Sequence, residues 1–241
     1  MIRFLVFFSL AYTLTGCGTS YNYYAPLVNN IPFAGKGETH ISGNVGTSGP
    51  ALKLGYSFGD KLGLSAVFQK SAPLKYHGSE MEAALGFCKH DTSISSIKKI
   101  ISAGCGIGTN YEKTPYSEIR NFRGSYSKPF IMLTIGTANK SKSMEKFLFR
   151  DAAFSLKANY LIYNGFKGTT INNIPSEKKF NTAVFFAEPG INLFFGTQYL
   201  RIDLGLGALI KKKYDFEKNI AIFPFEANAG LLFIVGRKIN N

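Results

Sequence analysis

Few residues in this chain have types and spacing that could do chemistry. His77, Ser79 and Glu80 fall within one short stretch. A base, a hydroxyl and a carboxylate converging at a membrane interface would make an acyl hydrolase. Groups packed so closely along a chain seldom reach triad geometry, so a solvated loop is expected and no catalytic residue is assigned. Gly104-x-Gly106-x-Gly108 has neither the lysine nor the following helix of a phosphate loop. Alternate glycines in a strand instead clear space on one face. No Cys-x-x-Cys or His-x-x-x-His spacing occurs, so neither a metal site nor a cofactor is expected. Cys88 and Cys105 lie on neighbouring runs. Matching apolar faces sets Met81, Ala83, Leu85 and Phe87 against Ile107, Cys105, Ala103 and Ile101. That register puts the two thiols on opposite faces, out of disulfide reach.

The remaining cysteine, Cys17, has a different setting. Met1-Ile2-Arg3 opens a short apolar run that ends at Leu14-Thr15-Gly16-Cys17. One positive charge, an apolar stretch too short for a bilayer span and small residues at its end predict a secretory signal. The ending resembles a bacterial lipobox, which implies cleavage before Cys17 and acyl chains on that residue. The expected organisation is a lipoprotein signal peptide over 1–16, a lipidated tether over 17–36 and one domain over 37–241.

Those residues must be positioned by strands. The chain is 15% aromatic with 25 glycines, a composition that suits strands and tight turns. From Gly37, ten runs of alternating residues are separated by Gly, Asn, Asp, Pro and Lys clusters. They lie near 37–46, 50–58, 61–70, 79–89, 100–110, 122–137, 147–163, 180–195, 198–210 and 221–236. In the ninth, Leu200, Ile202, Leu204, Leu206, Ala208 and Ile210 share one face, and Arg201, Asp203, Gly205 and Gly207 the other. Period two over such lengths predicts strands, several of them as long as the ~9–11 residues a tilted strand needs to cross a bilayer. Tight turns are expected at Gly59-Asp60 and Gly196-Thr197, and long polar loops at 70–79, 111–121, 164–179 and 211–220. The predicted fold is all-β: an antiparallel up-and-down β-barrel of about ten strands.

The second face decides which way such a barrel turns. A soluble barrel would cover it with Lys, Glu and Gln. Here it carries Gly55, Ser57, Gly63, Ser65, Ser102, Gly104, Gly106, Gly108, Gly205 and Gly207. Its few charges have both signs: Glu80, Glu82, Lys157, Arg201, Asp203 and Glu226. Small residues and pairable charges suit a narrow lumen, with lipid outside. The alternative is a soluble periplasmic barrel on a lipid tether that holds an apolar ligand. Aromatics near run ends (Tyr56, Phe58, Tyr111, Tyr160, Tyr163, Phe194, Phe195, Tyr199, Tyr214, Phe216) fit interfacial girdles. The net charge of +13 resides mostly in loop lysines. With no basic helix or aromatic-basic RNA motif, it points to an anionic membrane surface, or equally to loops that are simply solvated, rather than to nucleic acid.

The lipobox, Gly37-Glu38, Ala187-Glu188-Pro189-Gly190 and the closing Gly230-Leu231-Leu232-Phe233 resemble the small outer-membrane β-barrel lipoproteins of the Bacteroidota type. This chain departs from the usual aromatic terminus and continues Gly236-Arg237-Lys238-Ile239-Asn240-Asn241. The resemblance implies a non-enzymatic, lipid-anchored outer-membrane protein with a structural, surface-interaction or narrow-pore role. Its expected partners are outer-membrane lipid and an extracellular ligand or protein met through the loops, 164–179 above all.

Overall fold

The computed structural model describes residues 33, 35–71, 76–90, 97–112, 119–137, 148–170, 178–197, 199–211 and 225–236. The signal peptide, Cys17 and most of the tether lie outside them. Every regular element among the described residues is a strand. In chain order these are β1 (Thr39–Gly46), β2 (Gly49–Ser57), β3 (Leu62–Ser71), β4 (Tyr76–His90), β5 (Ile97–Glu112) and β6 (Ile119–Thr137). There follow β7 (Leu148–Thr170), β8 (Lys178–Gly196), β9 (Leu200–Ala208), β10 (Ile210–Lys211) and β11 (Phe225–Val235).

From β1 to β9 each strand pairs antiparallel with the next, and β11 pairs with both β9 and β1, which closes the sheet. The two-residue β10 continues β9 beyond Leu209 and pairs with the same neighbour, β8. The fold is therefore a closed ten-stranded up-and-down barrel. From Gly207 the register runs through Gly190, Ser155, Thr134, Ile100 and Cys88, and the offsets of the remaining strand pairs bring it back to β9 displaced by twelve positions. A shear of that size in ten strands tilts them by about 40° and leaves an interior that side chains can fill.

Both expected tight turns are present, at the rim where the chain enters the barrel. Phe58 and Gly59 donate to the carbonyl of Leu62 at 3.0 and 3.4 Å, and Thr197 donates to Leu200 at 2.8 Å. Gly196 holds φ +138°, a conformation that disfavours any side chain. The chain also leaves at this near rim, where Gly236 lies against Gly37.

The segments 70–79, 111–121 and 164–179 correct the expectation of loops. Residues 76–79, 111–112, 119–121, 164–170 and 178–179 continue the strands, and β7 reaches 23 residues. Near the far ends of β3–β7 the outward positions turn polar (Lys70, Ser79, Thr109, Ser125, Asn164), so apolar alternation fades while backbone pairing goes on.

The outward face is apolar. Leu62, Leu64, Phe68, Met81, Leu85, Phe87, Ile101, Ile107, Ile131, Phe154, Leu156, Phe185, Leu206, Leu231 and Phe233 are all exposed. The intervening residues are buried inside.

Candidate functional site

Among the described residues, the strands bring charged groups together in the lumen. Its construction follows a simple rule: a glycine on one strand lets the two flanking strands join above it. Gly106 stands opposite both Glu82 on β4 and Lys128 on β6. Lys128 Nζ lies 2.5 Å from Glu82 and 2.7 Å from Glu80. Gly108 stands between Glu80 and Tyr126, whose hydroxyl donates to Glu80 at 2.7 Å. Gly230 stands between Asn44 on β1 and Asp203 on β9, and Asn44 Nδ2 donates to Asp203 at 3.0 Å. Side chains two strands apart are about 10 Å apart at the backbone. A Cβ between them would block their approach. Built on Gly106, it would come within 2.9 Å of Glu80 Oε1.

Three charged groups result. The first joins β4, β6, β7 and β8. Lys157 Nζ donates to both oxygens of Glu82 at 2.6 and 2.8 Å, sits 3.7 Å from Glu188 and lies 4.3 Å above the Phe130 ring. The second surrounds Asp203, which accepts from Asn44, from Asn192 at 2.8 Å and from Lys53 at 3.5 Å. The third is at the near rim, where Arg201 pairs with Asp151. Each ion is buried, so its partner must replace water in a low-dielectric interior.

Apolar layers flank the ionic level. Ala153, Phe194, Leu232 and Ile234 cluster nearer the entry rim. Toward the far rim, Leu161, Tyr163, Val184 and Phe186 fill the interior. At the entry rim itself, Phe33 stacks on His40 with ring centres 4.7 Å apart, and its carbonyl accepts from Lys98 Nζ. His40 bonds Glu38 at 2.6 Å. Gly55 and Gly63 leave room for the Phe33 ring, since a Cβ on either would come within 3.0 or 2.6 Å of it. The last part of the tether thus seats a side chain in the barrel mouth.

All six charges expected in the lumen are inside and buried. Glu80, Glu82 and Lys157 belong to the first group, Asp203 to the second and Arg201 to the third. Glu226 is inside on β11 with one carboxylate oxygen unpartnered. Reading by type missed Lys53, Lys128 and Glu188, though their parity against Leu52, Ile131 and Ala187 gives the same inward assignment. The buried ions include seven acids and five bases, so the chain's positive excess lies outside the lumen.

Some expectations are corrected. Tyr163 and Phe194 are no girdle residues. Both are fully buried in the lumen, and Tyr163 accepts from Asn110 Nδ2 at 2.9 Å. Strand parity places them there, and residue type does not report it. Tyr56, Phe58 and Tyr199 are exposed near the entry rim, with Tyr56 and Phe58 edge to face at 5.0 Å. Tyr214 and Phe216 lie outside the described residues. The stretch of His77, Ser79 and Glu80 is strand rather than loop. Ser79 faces outward and Glu80 inward, so the two cannot converge on one substrate. Cys88 is buried, Cys105 is exposed, and both are free thiols in the expected register.

No family model matches the chain, and neither does any curated protein. Among solved structures it is similar to the translocator domain of autotransporter NalP from Neisseria meningitidis, at 10% identity and a TM-score of 0.33, over 81% of this chain and 86% of that one.

Proposed function

We propose that this chain is an integral outer-membrane β-barrel with a closed lumen, attached a second time through acyl chains on Cys17. The observation that carries the reading is the division of its two faces: a continuous apolar exterior around an ion-paired interior. In water that arrangement would expose most of the large apolar side chains and bury the charges. In a bilayer each face meets the medium it suits. The alternative with an apolar ligand inside would need an open apolar cavity, whereas the interior here is filled by ion pairs between apolar layers.

The role is non-enzymatic and interactive, in the manner of the small outer-membrane lipoproteins of the Bacteroidota type. The far ends of β7 (to Thr170) and β8 (from Lys178) offer a surface to an extracellular ligand or protein. Ion pairs and apolar layers across the lumen make it a plug, so the narrow-pore role gives way to a structural or surface one.

Fractionation of Cys17→Ser tests this. The variant is expected to stay with the outer membrane, to need detergent for extraction and to migrate differently on gels when unheated and when boiled. Reconstituted in planar bilayers, the protein is expected to give no steady conductance. Release of Cys17→Ser into the soluble periplasm would overturn the reading.

A further inference from the structure

The outer wall carries a groove that a uniform lipid-facing belt does not need. It lies between two outward rows of the register. The lower row is Gly43, Leu52, Phe68, Met81 and Ile107, each directly opposite the next. The upper row is Lys70, Ser79, Thr109 and Ser125, likewise paired in sequence. The groove along them is shallow and open to the outside, with a volume of about 870 Å³. Its lower row crosses five strands from β1 to β5, about 20 Å at the usual strand spacing. That is the length of an extended long acyl chain.

The two edges differ in chemistry. The lower edge is apolar except for Gly43, where a Cβ would meet nothing within 4 Å. The upper edge is polar: Lys70, Ser79, Thr109 and Ser125 are exposed, and Ser79 and Thr109 hydroxyls stand 3.3 Å apart. One step further out, Arg123 is exposed as well. Among the outward side chains described at this end, Lys70 and Arg123 are cations and none is an acid.

We propose that this wall binds one anionic phospholipid of the surrounding leaflet. An acyl chain lies in the groove against Leu52, Phe68, Met81 and Ile107. The phosphate is held at Lys70 and Arg123 with hydroxyls from Ser79 and Thr109. The proposal rests on the membrane-barrel reading and adds a specific lipid site to it.

The test is native mass spectrometry of the full chain in detergent, supplied with 1-palmitoyl-2-oleoyl phosphatidylglycerol or the matching phosphatidylcholine. Phosphatidylglycerol adducts are expected to survive preferentially. The double variant Lys70→Ser/Arg123→Ser is expected to lower their retention by about five-fold or more. Gly43→Phe fills the groove from its open end and is expected to remove the adduct while leaving heat-modifiable migration unchanged. Glycerol phosphate without acyl chains is expected not to displace the lipid. Equal retention of the two lipids, wild-type retention by either folded variant, or displacement by glycerol phosphate would overturn the site. Those results would leave the barrel in the membrane, whereas soluble release of Cys17→Ser would remove the membrane reading itself.

Discussion

Glu82 and Lys128 are 2.5 Å apart although their strands are not neighbours. The strand between them, β5, contributes Gly106 at the level where they meet. The same arrangement brings Tyr126 to Glu80 over Gly108, and Asn44 to Asp203 over Gly230. The lumen is thus closed by pairs of long polar side chains joined over intervening glycines.

Glycines that clear space differ from glycines that do not. A Cβ on Gly104 would overlap the Ala83 carbonyl and come within 2.6 Å of the Phe130 ring, whereas one on Gly43 meets nothing. Gly104→Ala is expected to destabilise the barrel by about 1–3 kcal/mol, the usual cost of overpacking. Gly43→Ala is expected to change stability by less than about 0.5 kcal/mol. Urea unfolding in lipid vesicles checks both.

Arg201 and Asp151 form a buried pair at the entry rim. Arg201→Leu removes a cation beside a buried carboxylate and is expected to cost about 3–5 kcal/mol. Adding Asp151→Leu removes that buried charge and is expected to restore most of the loss. The temperature at which the compact band disappears on unboiled gels reads the cycle.

Ile131 points outward from the middle of the apolar run of β6 and is 63% exposed. In a bilayer, Ile131→Arg is expected to cost about 2–4 kcal/mol, as a cation near the midplane of a lipid-facing wall does. On a soluble barrel the same change would be close to neutral. The comparison is made by unfolding in vesicles.

Cys105 is exposed on the outward wall and Cys88 is buried in the lumen, with no bond between them. In intact membranes a lipid-soluble maleimide is expected to label Cys105 and spare Cys88. A charged maleimide is expected to reach neither until the barrel is unfolded. Mass spectrometry of the labelled peptides distinguishes the two sites.

Much of this architecture is legible in the residues. Apolar matching set Met81 against Ile107 and Ala83 against Cys105, and the ladder has that register. It works there because one face meets a uniformly apolar medium, so a one-residue slip would invert every side chain. Legibility fails where that contrast ends. Asn164–Thr170 of β7 lie past the apolar belt, and the polar sequence gives no period to follow. It fails again at Tyr163 and Phe194, because an aromatic at the end of a run suits a girdle and a filled lumen equally well.

The sequence by itself determined the number of long strands, the two tight turns and the face of Glu80, Glu82, Lys157, Arg201, Asp203 and Glu226, because parity along a strand is a local property. Tertiary structure alone decided how those residues are partnered. Lys157 reaches Glu82 across 75 residues, and Asn44 reaches Asp203 across 159. Such contacts follow from closure, which sets each strand's height relative to strands two or three places away. Only at the closed shear do Gly106, Gly108 and Gly230 fall under the pairs that bridge them.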